Sequence, residues 1–453
     1  MHRNIFKNRF DNKKNKWLTL ILLLYFVLAI NYALNVPIFE APDEPDHFAH
    51  IKYLVNNKRL PFLNVKTADE PATAIHPPLY YFLSAIIYAP FQVFDHPVEV
   101  IPNEKFSLKS RNKFFHGEEK IINHIPFYII RLFSIMLGMG TIIFGWKIAA
   151  EFFRENHYLV NLSAALIAFI PQFVYVSSVI NSDNLANFIS TIAFWILIKV
   201  AQKEYNRKIY VVFLGILTGL AAITKFTVLF LIPFSVIVFY IIKNNKKEFY
   251  GNVIIIFVLV IVVSGWYYLR NYLIYGFALG GNFVIKRSIF SSYFIKPFAN
   301  IMLLSFFGLF GWMSILMGKL VYCFYILFYG FGFFTSLGFI FKNSSLTEKH
   351  PDMKVLNWIL FLSIILSLAS NIRYNMNSDD YQGRHMLPII APFAVLTVQG
   401  FYYIFFWFKG KYLINLSEKI KTIFIVVLIF VLAYLNIFVV NTYIKQSFAG
   451  AFI

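Results

Sequence analysis

The densest polar stretch in the chain is Glu40-Ala41-Pro42-Asp43-Glu44-Pro45-Asp46-His47-Phe48-Ala49-His50. A carboxylate in such a cluster can act as a general base, taking a proton from an attacking hydroxyl. Pro42 and Pro45 restrict the backbone and interrupt regular structure. A helix beginning near Pro45 would carry His47 and His50 on one face, at i, i+3 spacing. Asp43 or Glu44 would then stand near its N-cap. A solvated loop at the membrane surface is the plainer alternative. His47, His50 and Asp46 are also metal-ligand types, so a divalent metal is a secondary expectation and no cofactor is required.

Five further features share this character. Glu70-Pro71 and Ile75-His76-Pro77-Pro78-Leu79-Tyr80-Tyr81 form a proline-shaped segment, whose Glu70 or His76 can reach the first cluster. Asp183, in Asn181-Ser182-Asp183-Asn184, is a second acid candidate or the N-cap of the apolar run that follows. Lys225 stands alone in the short turn Thr224-Lys225-Phe226. Arg270 ends an apolar run and Arg384 starts one, the latter inside Gln382-Gly383-Arg384-His385. Arginine suits bidentate phosphate recognition better than lysine. Arg270, Arg384 and Lys225 together would make a pocket for an anionic lipid headgroup. Interfacial anchoring or snorkelling is the plainer reading of each cation.

These residues need a scaffold, and composition names it. The 453 residues are 59% hydrophobic and only 14% charged, against about 25% charged in soluble domains. Apolar runs near twenty residues recur, matching a bilayer's thickness. The net charge of +19 falls in short clusters between those runs. That is the positive-inside pattern rather than a nucleic-acid surface. Cys323 is the only cysteine, which excludes a disulfide framework. The first apolar run follows a basic start, lacks a small-residue cleavage site, and reads as a retained signal-anchor.

Spans are expected near 16–34, 129–149, 158–179, 185–201, 209–223, 227–242, 253–270, 318–340, 355–371, 385–408 and 421–440. The stretches 78–94 and 298–316 are ambiguous. If 78–94 crossed alone, every later lysine cluster would face outward, so both stretches are expected to lie in or dip into the outer interface. The result is an all-α polytopic bundle of about eleven transmembrane helices, forming a single integral membrane domain over 1–453. Residues 35–128 form a first extracytoplasmic loop and 271–317 a second outer segment. The N-terminus is cytoplasmic and the C-terminus extracytoplasmic.

Three patterns carry a resemblance: Pro42-Asp43-Glu44-Pro45-x-His47, His76-Pro77-Pro78-Leu79-Tyr80-Tyr81, and Gln382-Gly383-Arg384-His385-x-Leu387-Pro388. With Phe306-Phe307-Gly308-Leu309-Phe310-Gly311-Trp312, they resemble the bacterial membrane family called domain of unknown function 2142. That family is similar to the C-type glycosyltransferases, which include protein O-mannosyltransferases and aminoarabinose transferases. The resemblance implies a polyprenyl-phosphate-linked sugar as donor, used at the outer face of a bacterial plasma membrane. It puts the catalytic acid on Asp43, with Glu44 as helper and Asp183 as a second conserved-type acid. It also implies juxtamembrane helices in the first loop. The aminoarabinose transferases carry Glu-Lys-Pro where this chain has Ile75-His76-Pro77, so the comparison implies either a different donor headgroup or a different way of holding it.

The expected function is transfer of that sugar to a glycan, lipid or protein acceptor. Substrate contacts are expected from His47, His50, Glu70, His76, Lys225, Arg270, Gln382, Arg384 and His385. The competing readings are a transporter or flippase of a lipid-linked glycan, and a polymerase or ligase of O-antigen type. A transporter would concentrate charge near the midplane, whereas here polar residues crowd one mouth.

Overall fold

A computed structural model describes residues 12–451, apart from 64–69, 108–110, 118–120, 155, 203–206, 244, 281–287, 342–350, 379 and 413–417. Part of the basic start and parts of the expected lysine-rich connectors and outer segments lie outside the described residues. Eight described helices are long and apolar enough to cross a membrane. They overlap α1 (Asn12–Asn35), α4 (Ile125–Phe153), α7 (Asp183–Ala201), α10 (Lys246–Tyr275), α12 (Lys319–Phe341), α13 (Pro351–Asn375), α14 (Ile390–Tyr412) and α15 (Glu418–Val439).

The expected span 158–179 is not one straight helix. α5 (His157–Ala168) and α6 (Pro171–Ser177) meet at a 62° bend. Pro171 has no amide hydrogen to continue the ladder, and it starts the second piece as a first-turn proline. Counted as one, the pair makes a ninth span. The remaining two expected spans are the shorter helices α8 (Arg207–Ala222) and α9 (Leu231–Ile242).

Both ambiguous stretches return to the end of the bundle from which they start. The first loop contains α2 (Glu44–Asn57), α3 (Leu79–Tyr88) and a small antiparallel pair, β1 (Val100–Pro102) with β2 (Phe114–His116). Arg131, near the start of α4, donates to the carbonyls of Ala33 and Val36 at the end of α1, at 2.7 Å each. The loop therefore leaves and re-enters on one side, and α3 does not reverse the chain. The second stretch is α11 (Ser292–Phe307), followed by the hairpin β3 (Leu309–Phe310) and β4 (Ile315–Leu316). Trp312 in that hairpin donates to the Phe39 carbonyl at 3.0 Å, and Ser314 to the Arg111 carbonyl at 2.6 Å. This hairpin therefore lies over the first loop.

The interior is built where α4 packs on α5 and α7, α7 on α8, α8 on α10, and α12 on α14. Small residues let these helices approach. A Cβ at Gly400 of α14 would stand 1.8 Å from the Gly332 carbonyl of α12. Burial at the bundle centre and apolar exposure around it give the inverted surface of a multi-pass membrane protein.

Candidate active site

The turn between α1 and α2 decides where the first cluster points. Glu44 is fully buried and meets Arg131 side-on, Nε to Oε1 at 2.9 Å and Nη2 to Oε2 at 2.7 Å. Its Oε1 also accepts from the Ile180 amide at 2.9 Å. Glu40, equally buried, accepts from the Lys113 and Phe114 amides at 2.9 Å each. These two carboxylates clamp the turn on both sides. Between them Asp43 takes φ 63°, the left-handed region that Asp tolerates better than most residues, and stands at the N-cap of α2. Its side chain remains 43% exposed. Of the acids in this cluster, Glu44 thus braces the fold and Asp43 faces the opening.

Four charged groups then form a chain at one end of the bundle. Arg384 Nη2 donates to Asp43 Oδ2 at 2.6 Å. Arg384 Nε lies 3.8 Å from Asp183 Oδ2, and Lys225 Nζ reaches Asp183 Oδ1 at 2.5 Å. Asp183 sits in the first turn of α7, where the helix dipole favours a carboxylate. The N-cap itself is Ser182. At 3.8 Å the Arg384–Asp183 contact is too long for a hydrogen bond. Both Arg384 Nε and Asp183 Oδ2 are buried without a hydrogen-bond partner among the described residues. Arg384 is brought in by a close backbone approach. A Cβ at Gly383 would lie 2.3 Å from the Met302 carbonyl and the Phe306 amide of α11, so only glycine fits there. The Gly383 amide donates to Ser305 Oγ at 2.6 Å.

The histidines form a wall beside Asp43. His47 and His50 do share one face of α2. The His50 ring stacks on Tyr81 with centroids 3.9 Å apart, and His47 Nδ1 is 2.7 Å from the Tyr81 hydroxyl. His76 Nδ1 is 3.1 Å from the same hydroxyl. Thr73 donates to the Asp46 carbonyl at 3.1 Å, so its oxygen is left to accept from His50 Nδ1, also at 3.1 Å. His50 is thereby fixed with its proton on Nδ1.

The electrostatics separate acid from imidazole. Partial burial pushes the Asp43 carboxyl up, but the charges of Arg384 and Lys225 outweigh it and hold the group well below the usual carboxylate range. Burial lowers His50 to about 3 and His76 to about 4, and takes His47 well below its usual value. All three are neutral at physiological pH. Between pH 6.5 and about 4 the unfolded chain therefore binds protons that the folded chain refuses, so stability falls as pH falls. The melting temperature of purified protein is expected to drop steadily across that window. His50→Gln should flatten the slope. A pH-independent melting temperature in the native protein would mean that these rings stay hydrated.

The other expected site residues divide between two places. Glu70 accepts from Tyr53 at 2.7 Å, Arg59 at 3.0 Å and the Phe62 amide at 3.1 Å, away from the Asp43 chain. Arg270 donates to the Pro61 carbonyl at 2.6 Å and braces that loop, rather than joining Arg384 and Lys225. Gln382 donates to Asp380, and the buried His385 lies beside the chain, its Nε2 3.0 Å from Asp380 Oδ2 and its ring within the field of Lys225 and Asp183. Lys113 carries no sequence signal of its own. The charges of Asp43, Asp46 and Glu40 act on its amine, which stands 3.1 Å from the Trp312 ring centroid. It adds a cation near the mouth, from a loop with no periodicity to flag it.

Among the described residues, no group of three His, Cys, Asp or Glu side chains has the arrangement to hold a metal. Asp43 and Asp183 face Arg384 and Lys225 instead. The donor set does not fit a resident cation.

The sequence pattern of the dolichyl-phosphate-mannose-protein mannosyltransferase family matches residues 119–268, about a third of the chain. No curated protein matches it. The Archaeoglobus fulgidus oligosaccharyltransferase, solved with Zn and sulfate, superposes with a TM-score of 0.53 at 13% identity, over 94% of this chain and 53% of that one. The same archaeal enzyme, AglB, solved with an inhibitory peptide and a dolichol-phosphate, gives 0.53 at 12% identity, over 96% and 56%. ArnT from Cupriavidus metallidurans in the apo state gives 0.52 at 12% identity, over 95% and 74%. This chain shares the overall fold of these membrane proteins. It spans about half the length of the archaeal enzyme it matches. The family pattern runs from α4 through α9 and into α10, and therefore contains Arg131, Asp183 and Lys225 but neither Asp43 nor Arg384.

Proposed function

We propose that the protein transfers a sugar from a polyprenyl-phosphate-linked donor to an acceptor hydroxyl, with Asp43 as general base. The observation that carries this reading is the chain Asp43–Arg384–Asp183–Lys225 at one mouth of a C-type glycosyltransferase fold. A lipid phosphate bound in a protein of the same fold supports the donor class. The three motifs described above support a place in the domain of unknown function 2142 family and in a bacterial plasma membrane. The charge bias of the short connectors supports an extracytoplasmic site. A cysteine at exposed Lys58, on a Cys323→Ser background, should then react with an impermeant reagent from outside; labelling only from the cytoplasm would reverse the orientation.

In the resting state Asp43 is a weak base, because Arg384 holds its proton affinity down. A donor phosphate competes for that same guanidinium. As Arg384 and Lys225 turn to the phosphate, Asp43 loses its counterion and its proton affinity rises. The acceptor oxygen then bonds to the anomeric carbon as the bond from that carbon to the phosphate oxygen breaks. The hydroxyl proton passes to Asp43. The released lipid phosphate keeps its negative charge against Arg384 and Lys225. A single displacement of this kind inverts the sugar.

The test is release of lipid phosphate from a panel of polyprenyl-phosphate sugars by the protein in nanodiscs. Native protein should cleave at least one. Arg384→Ala should weaken donor binding by about tenfold or more, and Arg384→Lys should restore it only in part, since a point charge lacks the planar fork. Donor binding unchanged in Arg384→Ala would remove the phosphate from this cluster.

A further inference from the structure

A cavity opens on the outer side of α2, away from the histidine wall. It encloses about 640 Å³ between α2, the segment at 70–72 and the segment at 96–98. That lies within the range of small-ligand sites, roughly 300–1,000 Å³. Its floor includes Pro45 and Asp46, within one helical turn of Asp43. We infer that this cleft holds the acceptor, and that the acceptor is a neutral glycan. The inference rests on the transfer reading for its role and on the cleft's own chemistry for its ligand.

The charges in the walls are largely neutralised in pairs. Lys52 is bound to Asp95 at 2.6 Å, and Glu70 to Arg59 at 3.0 Å. These pairs leave little net attraction for a phosphorylated or otherwise anionic ligand, and Asp46 opposes one. What the cleft offers is hydrogen bonding beside aromatic faces. Tyr53, Asn56 and Asn57 line it together with the rings of Phe39 and Phe48. Among the described residues, Asn56 uses only its carbonyl oxygen, accepting from Gln92 at 2.7 Å, and Asn57 uses only its amide nitrogen, donating to the Tyr53 carbonyl at 3.2 Å. Among the described residues, no hydrogen bond or ion pair engages the Asp46 carboxylate. A carboxylate, an amide donor and an amide acceptor beside aromatic rings match the hydroxyls and C–H faces of a sugar. The closeness to Asp43 is electrostatic as well as sequential. Burial raises the Asp46 carboxyl, and the charge of Asp43 raises it further. A glycan in the cleft would present a hydroxyl at the edge nearest Asp43.

The probe is an array of neutral and phosphorylated oligosaccharides, read with the full chain in nanodiscs. Native protein should retain neutral members. Ala49 lines the cleft as an exposed helix residue, so Ala49→Trp fills the space without touching the core. It should weaken neutral-glycan binding about tenfold or more, with an unchanged melting temperature. Asn57→Ala gives a second reading, a smaller loss from one missing acceptor. Binding that is unaffected by Ala49→Trp overturns the inference. So does binding confined to phosphorylated members, or no binding at all. The two readings fail separately. Glycan binding lost in Ala49→Trp while native protein cleaves no lipid-linked sugar would remove the transfer reaction and leave the cleft. Donor cleavage with glycan binding insensitive to Ala49→Trp would do the reverse.

Discussion

Asp43→Asn is expected to lose at least about a hundredfold in turnover while the protein folds and inserts normally. Base catalysis contributes a factor of roughly 10²–10⁴, and asparagine keeps the size and most hydrogen bonds of the acid but cannot take a proton. The side chain is 43% exposed and does not brace the turn, which Glu40 and Glu44 hold. The folded yield should therefore stay near that of the native protein. Arg384 would lose one partner and keep Asp183 at 3.8 Å. Freed from Asp43, the guanidinium should bind donor phosphate at least as tightly as before. The signature is thus a fall in kcat with donor affinity held or improved. Single-turnover release of lipid phosphate separates the two quantities. Near-native turnover in Asp43→Asn with a defined donor and acceptor would remove Asp43 as base, and the reading built on it.

Much of this site was legible in the residues, for physical reasons that can be traced. Prolines flanking Asp43 announced a fixed turn, and the i, i+3 pair His47 and His50 was real because a helix began there. The charge bias kept 78–94 from being read as a crossing, and the Arg131 bonds to the end of α1 agree. Gly383-Arg384 was readable as a motif, but its reason was not. Close passage of α11 is a tertiary fact that no local pattern carries. Arg131 lies in an otherwise apolar run and reads as part of a span. A buried arginine in a membrane helix requires a partner, and that rule does not say which acid supplies it. The family resemblance implies a helper role for Glu44 beside Asp43. Adjacent residues on a tight turn point in different directions, and here one faces the core and the other the mouth. Arg270 and Glu70 were of the right type and on the right side, yet short-range loop bonds claimed both.

Glu44→Gln is expected to fail in a different way from Asp43→Asn, and the contrast is the sharpest test of how the turn is built. Arg131 and Glu44 are both fully buried. Arg131 also donates to three main-chain carbonyls, those of Ala33, Val36 and Pro37. Glu44 in turn accepts from the Ile180 amide at 2.9 Å and the Phe39 amide at 3.3 Å. This pair joins the end of α1, the turn, α4 and the approach to α7 in one knot. Glutamine can still accept one bond from Arg131, but it leaves the guanidinium charge uncompensated in a dry interior. Removing one partner of a buried pair costs about 3–5 kcal/mol, a large part of a typical folding free energy of about 5–15 kcal/mol. The variant should therefore give much less folded protein, seen as a lower melting temperature and a smaller monodisperse peak in detergent. Whatever fraction folds should keep most of its donor cleavage per molecule, because Asp43, Arg384 and Lys225 are untouched. Glu44→Asp should show the same defect, since the shorter chain cannot span both guanidinium nitrogens and the Ile180 amide. A Glu44→Gln protein that is as stable as the native one but inactive would exchange the two roles, making Glu44 the base and Asp43 its neighbour.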